Sequence, residues 1–174
     1  MVKQSGVLDP VEIRHEQQLA GTYAEGIRAG LAGAITIAVW FALFDLWRGQ
    51  PLFTPTVLGT AIFRGGAGLD DPGSLAPSFE MVVSFTWVHM LVFLLVGMGA
   101  ALLLERAERD SHAGFGILLL FFIFEAGFMA ACMLFAEPVL QALTWPAIAV
   151  GNLLAALAMG TIFWRAHRSL TVQP

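Results

Sequence analysis

Four long apolar runs, separated by short polar breaks, dominate the hydropathy pattern of the chain. They cover residues 27–47, 81–104, 115–135 and 145–164. Each has about 20 residues or more, the length that an α-helix rising 1.5 Å per residue needs to cross about 30 Å of hydrocarbon. The pattern predicts an all-α integral membrane protein whose four helices form an antiparallel bundle.

The composition agrees with a membrane protein. Of the 174 residues, 57% are hydrophobic and the mean hydropathy is +0.75, whereas soluble domains are about 45–50% apolar. The predicted organisation is a cytoplasmic segment over residues 1–26, a four-span domain over 27–166 and a cytoplasmic tail over 167–174. Basic residues are scattered rather than clustered, which argues against nucleic-acid binding.

The placement of the basic residues predicts the orientation in the membrane. Only Arg48 and Arg64 of the nine Lys and Arg residues lie between the first and second runs. The others flank the opposite ends of the runs: Lys3, Arg14, Arg28, Arg106, Arg109, Arg165 and Arg168. Because Lys and Arg accumulate on the cytoplasmic side, both termini are expected there, in a multi-pass protein of a bacterial-type inner (plasma) membrane. Residues 1–26 lack the apolar core of a signal peptide.

Two shorter helices are predicted outside the spans. The first external connection, residues 48–80, contains an apolar stretch at Leu52–Phe63 that is too short to cross a bilayer. We expect it to form a short interfacial helix, with Thr54 as the N-cap and Pro55 as the first helical residue. Val11–Ala24 has a loose helical spacing of apolar residues, which predicts a surface helix before the first span.

Pairs of small residues spaced four apart recur along the spans. Such pairs let helices approach closely in lipid. They are Gly30/Ala34, Gly97/Ala101, Gly127/Ala131, Gly151/Ala155 and Ala156/Gly160. If the chain packs against another protein, Gly97/Ala101 and Ala156/Gly160 are the expected contact faces, together with part of the Leu52–Phe63 loop.

Four polar side chains fall within the spans, where burial in lipid is costly: Asp45, His89, Glu125 and Asn152. Position along the spans places His89, Glu125 and Asn152 at similar depths, and Asp45 closer to the outer surface. We expect the first three to point inward and to form one hydrogen-bonded group. Asp45 is expected to pair with the neighbouring Arg48 as an interfacial anchor.

Three interpretations of this polar group remain open. It holds the helices together; or His89 and Glu125 bind a metal ion, a proton or the headgroup of a quinone; or His89 ligates a haem or chlorin. Within the four apolar runs, the spacing of His, Glu and Cys residues matches no di-metal or bis-histidine motif, so no cofactor is required by the sequence. The remaining histidines, His15, His112 and His167, are expected to be solvated.

The function that the sequence favours is that of a small non-catalytic membrane subunit or interaction protein. It would pack against a larger inner-membrane complex of the electron-transfer or transport type, with lipid and other membrane subunits as its partners. The alternative is an ion-, quinone- or tetrapyrrole-binding membrane protein or enzyme that uses His89 and Glu125. The missing catalytic motifs make an enzyme the less favoured of the two.

Overall fold

A computed structural model of the chain describes residues 10–69, 71–109 and 145–167. This part is helical. Three helices are long and apolar enough to cross a membrane, and a fourth is short. In chain order the helices are α1 (Pro10–Trp47), α2 (Phe53–Phe63), α3 (Phe79–Arg109) and α4 (Trp145–Ala166), with a single 3₁₀ turn at Pro72–Ser74. The predicted third span, residues 115–135, lies outside the described residues.

Helix α1 contains both the predicted surface helix and the first predicted span. Its 38 residues run without a break from Pro10 to Trp47, so the predicted surface helix at Val11–Ala24 continues directly into the first span. A helix of this length is about 57 Å long, well beyond the roughly 30 Å of the hydrocarbon layer. The boundary drawn at residue 26 is therefore no boundary in the secondary structure.

Glycines bring α1 and α3 into backbone contact. A methyl group added at Gly97 would lie 2.6 Å from the backbone nitrogen of Gly30, and it would also overlap the carbonyl oxygen of Gly26. Next to these glycines, Ala34 and Ala101 are almost completely buried. Close approach through small residues increases van der Waals contact between helices in lipid, where no hydrophobic force drives them together.

Helix α4 packs on another part of α1. The indole nitrogen of Trp40 donates a hydrogen bond to the backbone oxygen of Ala147, at 2.8 Å. One turn later, a methyl group at Gly151 would lie 2.9 Å from Cδ1 of the same indole. Nearer the other end, Gly33 of α1 faces the side chain of Met159. α1 thus contacts both α3 and α4 along its length.

The large buried apolar side chains of the described residues lie beneath α2. Phe53, Val57 and Leu69 form a core that Leu75 and Ile148 of α4 extend. The predicted short helix in the first connection is therefore present, and it packs against α3 through Gly59 and Met81. We refer to α2 and the connection that surrounds it, residues 48–78, as the cap.

Two predicted contact faces are changed by this packing. Gly97/Ala101 is buried between α1 and α3, so it is used within the chain and is not free for a partner. In the Leu52–Phe63 segment, only Leu52, Ile62 and Phe63 are exposed. Ala156/Gly160 is the predicted face that stays exposed, on α4.

Candidate functional site

Asp45 is the most deeply buried ionisable side chain described, with 2% of its surface exposed. It lies near the end of α1 and holds the start of α2. Its Oδ2 accepts the backbone N–H of Thr54 at 2.7 Å, and its Oδ1 accepts the Thr54 hydroxyl at 2.7 Å. Both oxygens of the carboxylate are therefore occupied within the chain.

These two hydrogen bonds take the place of the predicted N-cap of α2. The helix begins at Phe53, and the residue before it, Leu52, has a left-handed φ of 64° and makes no side-chain cap. Asp45 supplies the missing acceptor from nine residues upstream, and a carboxylate at a helix N-terminus also interacts favourably with the helix dipole. Thr54 therefore acts as a donor inside the first turn, and the prediction that it is the N-cap is wrong.

Arg48 makes a different contact from the one expected. Its guanidinium lies over the ring of Phe44, with 5.6 Å between Cζ and the ring centroid. The hydrogen bonds of Asp45 go to Thr54 instead. Asp45 is thus a link between two helices of the chain rather than one half of a surface ion pair.

His89 links α3 to α1. Its Nε2 lies 3.1 Å from the backbone oxygen of Ala34. Because a carbonyl oxygen only accepts, Nε2 carries the proton in this contact. The imidazole lies between the rings of Phe85 and Phe93 on its own helix, at centroid distances of 5.6 and 4.8 Å.

The predicted group of three polar residues is described only in part. His89 and Asn152 are both half-buried, and Glu125 lies outside the described residues. Their meeting therefore stays a prediction. With the Nε2 proton directed at Ala34, Nδ1 is the nitrogen of the His89 ring that keeps a lone pair for a metal.

A second polar cluster was not expected from the sequence. His167, directly after α4, lies between the carboxylates of Glu25 on α1 and Glu108 on α3. Its Nδ1 is 2.6 Å from Oε1 of Glu108, and its Nε2 is 3.2 Å from Oε2 of Glu25. Only 15% of the His167 side chain is exposed, so the expectation that it is solvated is wrong.

The surroundings of His167 raise its pKa above the usual 6.5. Burial disfavours the charged ring, but the hydrogen bond to Glu108 and the negative charges of Glu25 and Glu108 outweigh that effect. The other oxygen of Glu25, Oε1, is buried and makes no hydrogen bond among the described residues, although it lies 3.0 Å from Nε2 of His167. One turn along α3, Glu105 accepts the hydroxyl of Thr22 at 3.0 Å.

These polar contacts lie near the two ends of the apolar part of α1. Glu25 and Asp45 are 20 positions apart on this helix, which corresponds to about 30 Å, close to the hydrocarbon thickness of a bilayer. The sequence does carry a signal for the polar cluster at Glu25, because Glu25, Glu108 and His167 each lie just beyond an apolar run. What the sequence does not give is that three separate runs end at the same height.

Within the described ranges, no three His, Cys, Asp or Glu side chains are placed to hold a metal ion. In the Glu25–His167–Glu108 cluster the reason is visible, since the carboxylates face opposite nitrogens of the ring. Comparison of the chain with protein-family models, curated proteins and solved structures finds no match.

Proposed function

We propose that this protein is a four-span membrane subunit that packs against a larger inner-membrane complex. The observation that carries the proposal is the surface of α4. The other small-residue pairs of the described helices are buried in helix contacts within the chain, whereas Ala156 and Gly160 are exposed beside Leu153 and Leu157. A small-residue face at membrane depth is the surface on which a further helix packs closely.

The buried polar groups support the same interpretation. Asp45 binds Thr54, His89 binds Ala34 and Trp40 binds Ala147, each within the chain. Each of these side chains thus has a structural partner that accounts for its position. The function of the protein then depends on its exposed helix faces. In the most apolar stretch of α3, only 11% is buried within the chain.

The predicted third span, residues 115–135, is compatible with the way α1, α3 and α4 contact one another. α3 and α4 each pack along α1, and residues 110–144 connect the end of α3 to the start of α4. In an antiparallel bundle with both termini in the cytoplasm, a span over 115–135 would return the chain across the bilayer and complete the four helices. The proposal is supported by the contacts at the two ends of α1, since the end of α3 reaches Thr22 through Glu105 whereas α4 begins beside Trp40.

The orientation has a direct test. Reporter fusions after Pro174 and within residues 65–68 of the cap should report opposite compartments, with the C-terminal fusion in the cytoplasm, because most basic residues lie on that side. Fusions that place Pro174 outside the cytoplasm would refute the orientation. Equal compartments for both sites would refute the even number of spans.

The subunit assignment is tested by purification from native membranes in mild detergent, followed by mass spectrometry. We expect a stoichiometric membrane partner, since stable specific interfaces bury more than about 1,000 Å². Gly160→Leu should reduce the partner at least about tenfold, because the added side chain would hold a second helix away. Gly99→Leu is the matched control: like Gly160, Gly99 has open space around it, but it lies on α3.

Two results would overturn the assignment. A chain that purifies alone from native membranes has no stable partner. A bound chromophore, metal or turnover that is lost in His89→Ala would instead support the ligand-binding alternative. Retention of the partner in Gly160→Leu, with the complex intact, would move the interface away from α4.

A further inference from the structure

At the end of α4, the side chain of His167 contacts both of the other long helices that the structure describes. His167 contacts Glu25 of α1 through Nε2 and Glu108 of α3 through Nδ1. At the opposite end of α4, Trp40 provides a comparable tether through Ala147. In the parts of α4 that the structure describes, these two are the polar side-chain contacts to other helices, and they are at opposite ends of the helix.

Two ionised carboxylates on opposite nitrogens of the His167 ring are both satisfied only when the ring carries a second proton. A neutral imidazole has one N–H, so it donates to one carboxylate and presents a lone pair to the other. When both nitrogens carry protons, each donates to an anionic oxygen, and such charge-assisted bonds are roughly twice as strong as neutral ones. A cation at this position also interacts favourably with the C-terminus of α4.

We propose that Glu25, His167 and Glu108 form a proton-dependent clamp that holds the end of α4 against α1 and α3. With the imidazole protonated, the end of α4 is held against the end of α3 and against α1 at Glu25. Loss of one proton breaks one of the two bonds and leaves two carboxylates facing a neutral ring, so the end of α4 separates from α1 and α3.

Charged side chains surround the clamp on each of the described helices that it joins. Glu25 faces His167 from α1 and Glu108 faces it from α3. Glu105, one turn away on α3, accepts the hydroxyl of Thr22. Among the arginines near this end whose side chains the structure describes, Arg28, Arg106 and Arg165 are exposed. Two carboxylates against one imidazolium leave the closed clamp with a net negative charge, which favours the protonated ring.

The direction of the pH effect follows from the raised pKa of His167. Protonation is tighter in the folded protein than in the unfolded chain, so the stabilisation is complete below the usual pKa of 6.5. It is lost as the pH rises from 6.5 through the higher folded-state value. The clamp is therefore closed in mildly acidic solution and opens as the solution becomes alkaline.

The test measures the distance between the end of α4 and α1 in the full chain in lipid nanodiscs. Spin labels are attached at Ala20→Cys and Ala166→Cys, two exposed positions, with Cys132→Ser removing the native thiol. We expect one narrow distance distribution near pH 6 and a second, wider population that grows as the pH rises above about 6.5. A distribution that is unchanged between about pH 5.5 and 9.5 would refute the clamp.

Two variants separate the clamp from other titrating groups. His167→Gln should show the wide population at every pH, because Gln cannot carry the charge. His167→Arg should show the narrow one at every pH, because guanidinium stays protonated and offers several donors. A His167→Gln protein with the native distance and pH response would also refute the proposal. If His167→Gln cannot be purified, the pH response of the native side chain still decides.

Discussion

Gly97→Ala is expected to lower the free energy of unfolding by at least about 2 kcal/mol, because the added methyl group has no space. It would lie 2.6 Å from the nitrogen and 2.8 Å from the Cα of Gly30, which are backbone atoms that cannot rotate away. The helices must therefore separate, and the contacts along α1 and α3 weaken together. Denaturant titration in mixed micelles measures the change.

Gly99→Ala is the matched control for this experiment. It introduces the same methyl group on the same helix two residues later, where no atom lies within 4 Å of the added carbon. Its expected effect is neutral or slightly stabilising, since Ala favours helix over Gly by about 1 kcal/mol. Equal losses in the two variants would mean that the close approach of α1 and α3 does not hold the protein together.

Asp45→Ala is expected to cost about 3 kcal/mol, since it leaves both the N–H and the hydroxyl of Thr54 buried without an acceptor. Because Asp45 is the link between α1 and α2, the loss should concentrate in the cap. Protease cleavage between residues 48 and 78 should therefore increase before the long helices unfold. Measuring cleavage and global unfolding side by side separates the local effect from the global one.

Two controls define the role of the carboxylate. Asp45→Asn keeps the shape and one acceptor oxygen, so an intermediate loss is expected. Thr54→Ser keeps the hydroxyl and should remain close to the native protein. An Asp45→Ala variant with native protease resistance would show that α2 is held by its apolar core alone.

The sequence predicts the three long helices that the structure describes because apolar length is a direct physical requirement of the bilayer. It also locates α2, since residues 52–63 are apolar and too short to span. The partners of individual side chains are a different matter. Asp45 accepts hydrogen bonds from Thr54 because the turn at residues 48–52 brings α2 back onto the end of α1.

The cluster around His167 shows the same limit. Its members are separated by up to 142 positions in the chain, and each taken alone resembles a solvated residue at a helix end. Only the relative heights of α1, α3 and α4 bring them together, and those heights depend on glycine contacts such as Gly26 with Gly97. Conversely, the predicted His89–Glu125–Asn152 group rests on depth alone and remains a prediction.

The contribution of α4 to the cap also sets an order on biogenesis. α4 is the last helix of the described chain to leave the ribosome, and it brings Ile148 to the core beneath α2 and the Ala147 oxygen to Trp40. Until it is inserted, the earlier helices carry an unfilled apolar surface and an indole N–H without this acceptor. A chain that ends before α4 therefore leaves both groups without their partners, whereas insertion of α4 satisfies both at once.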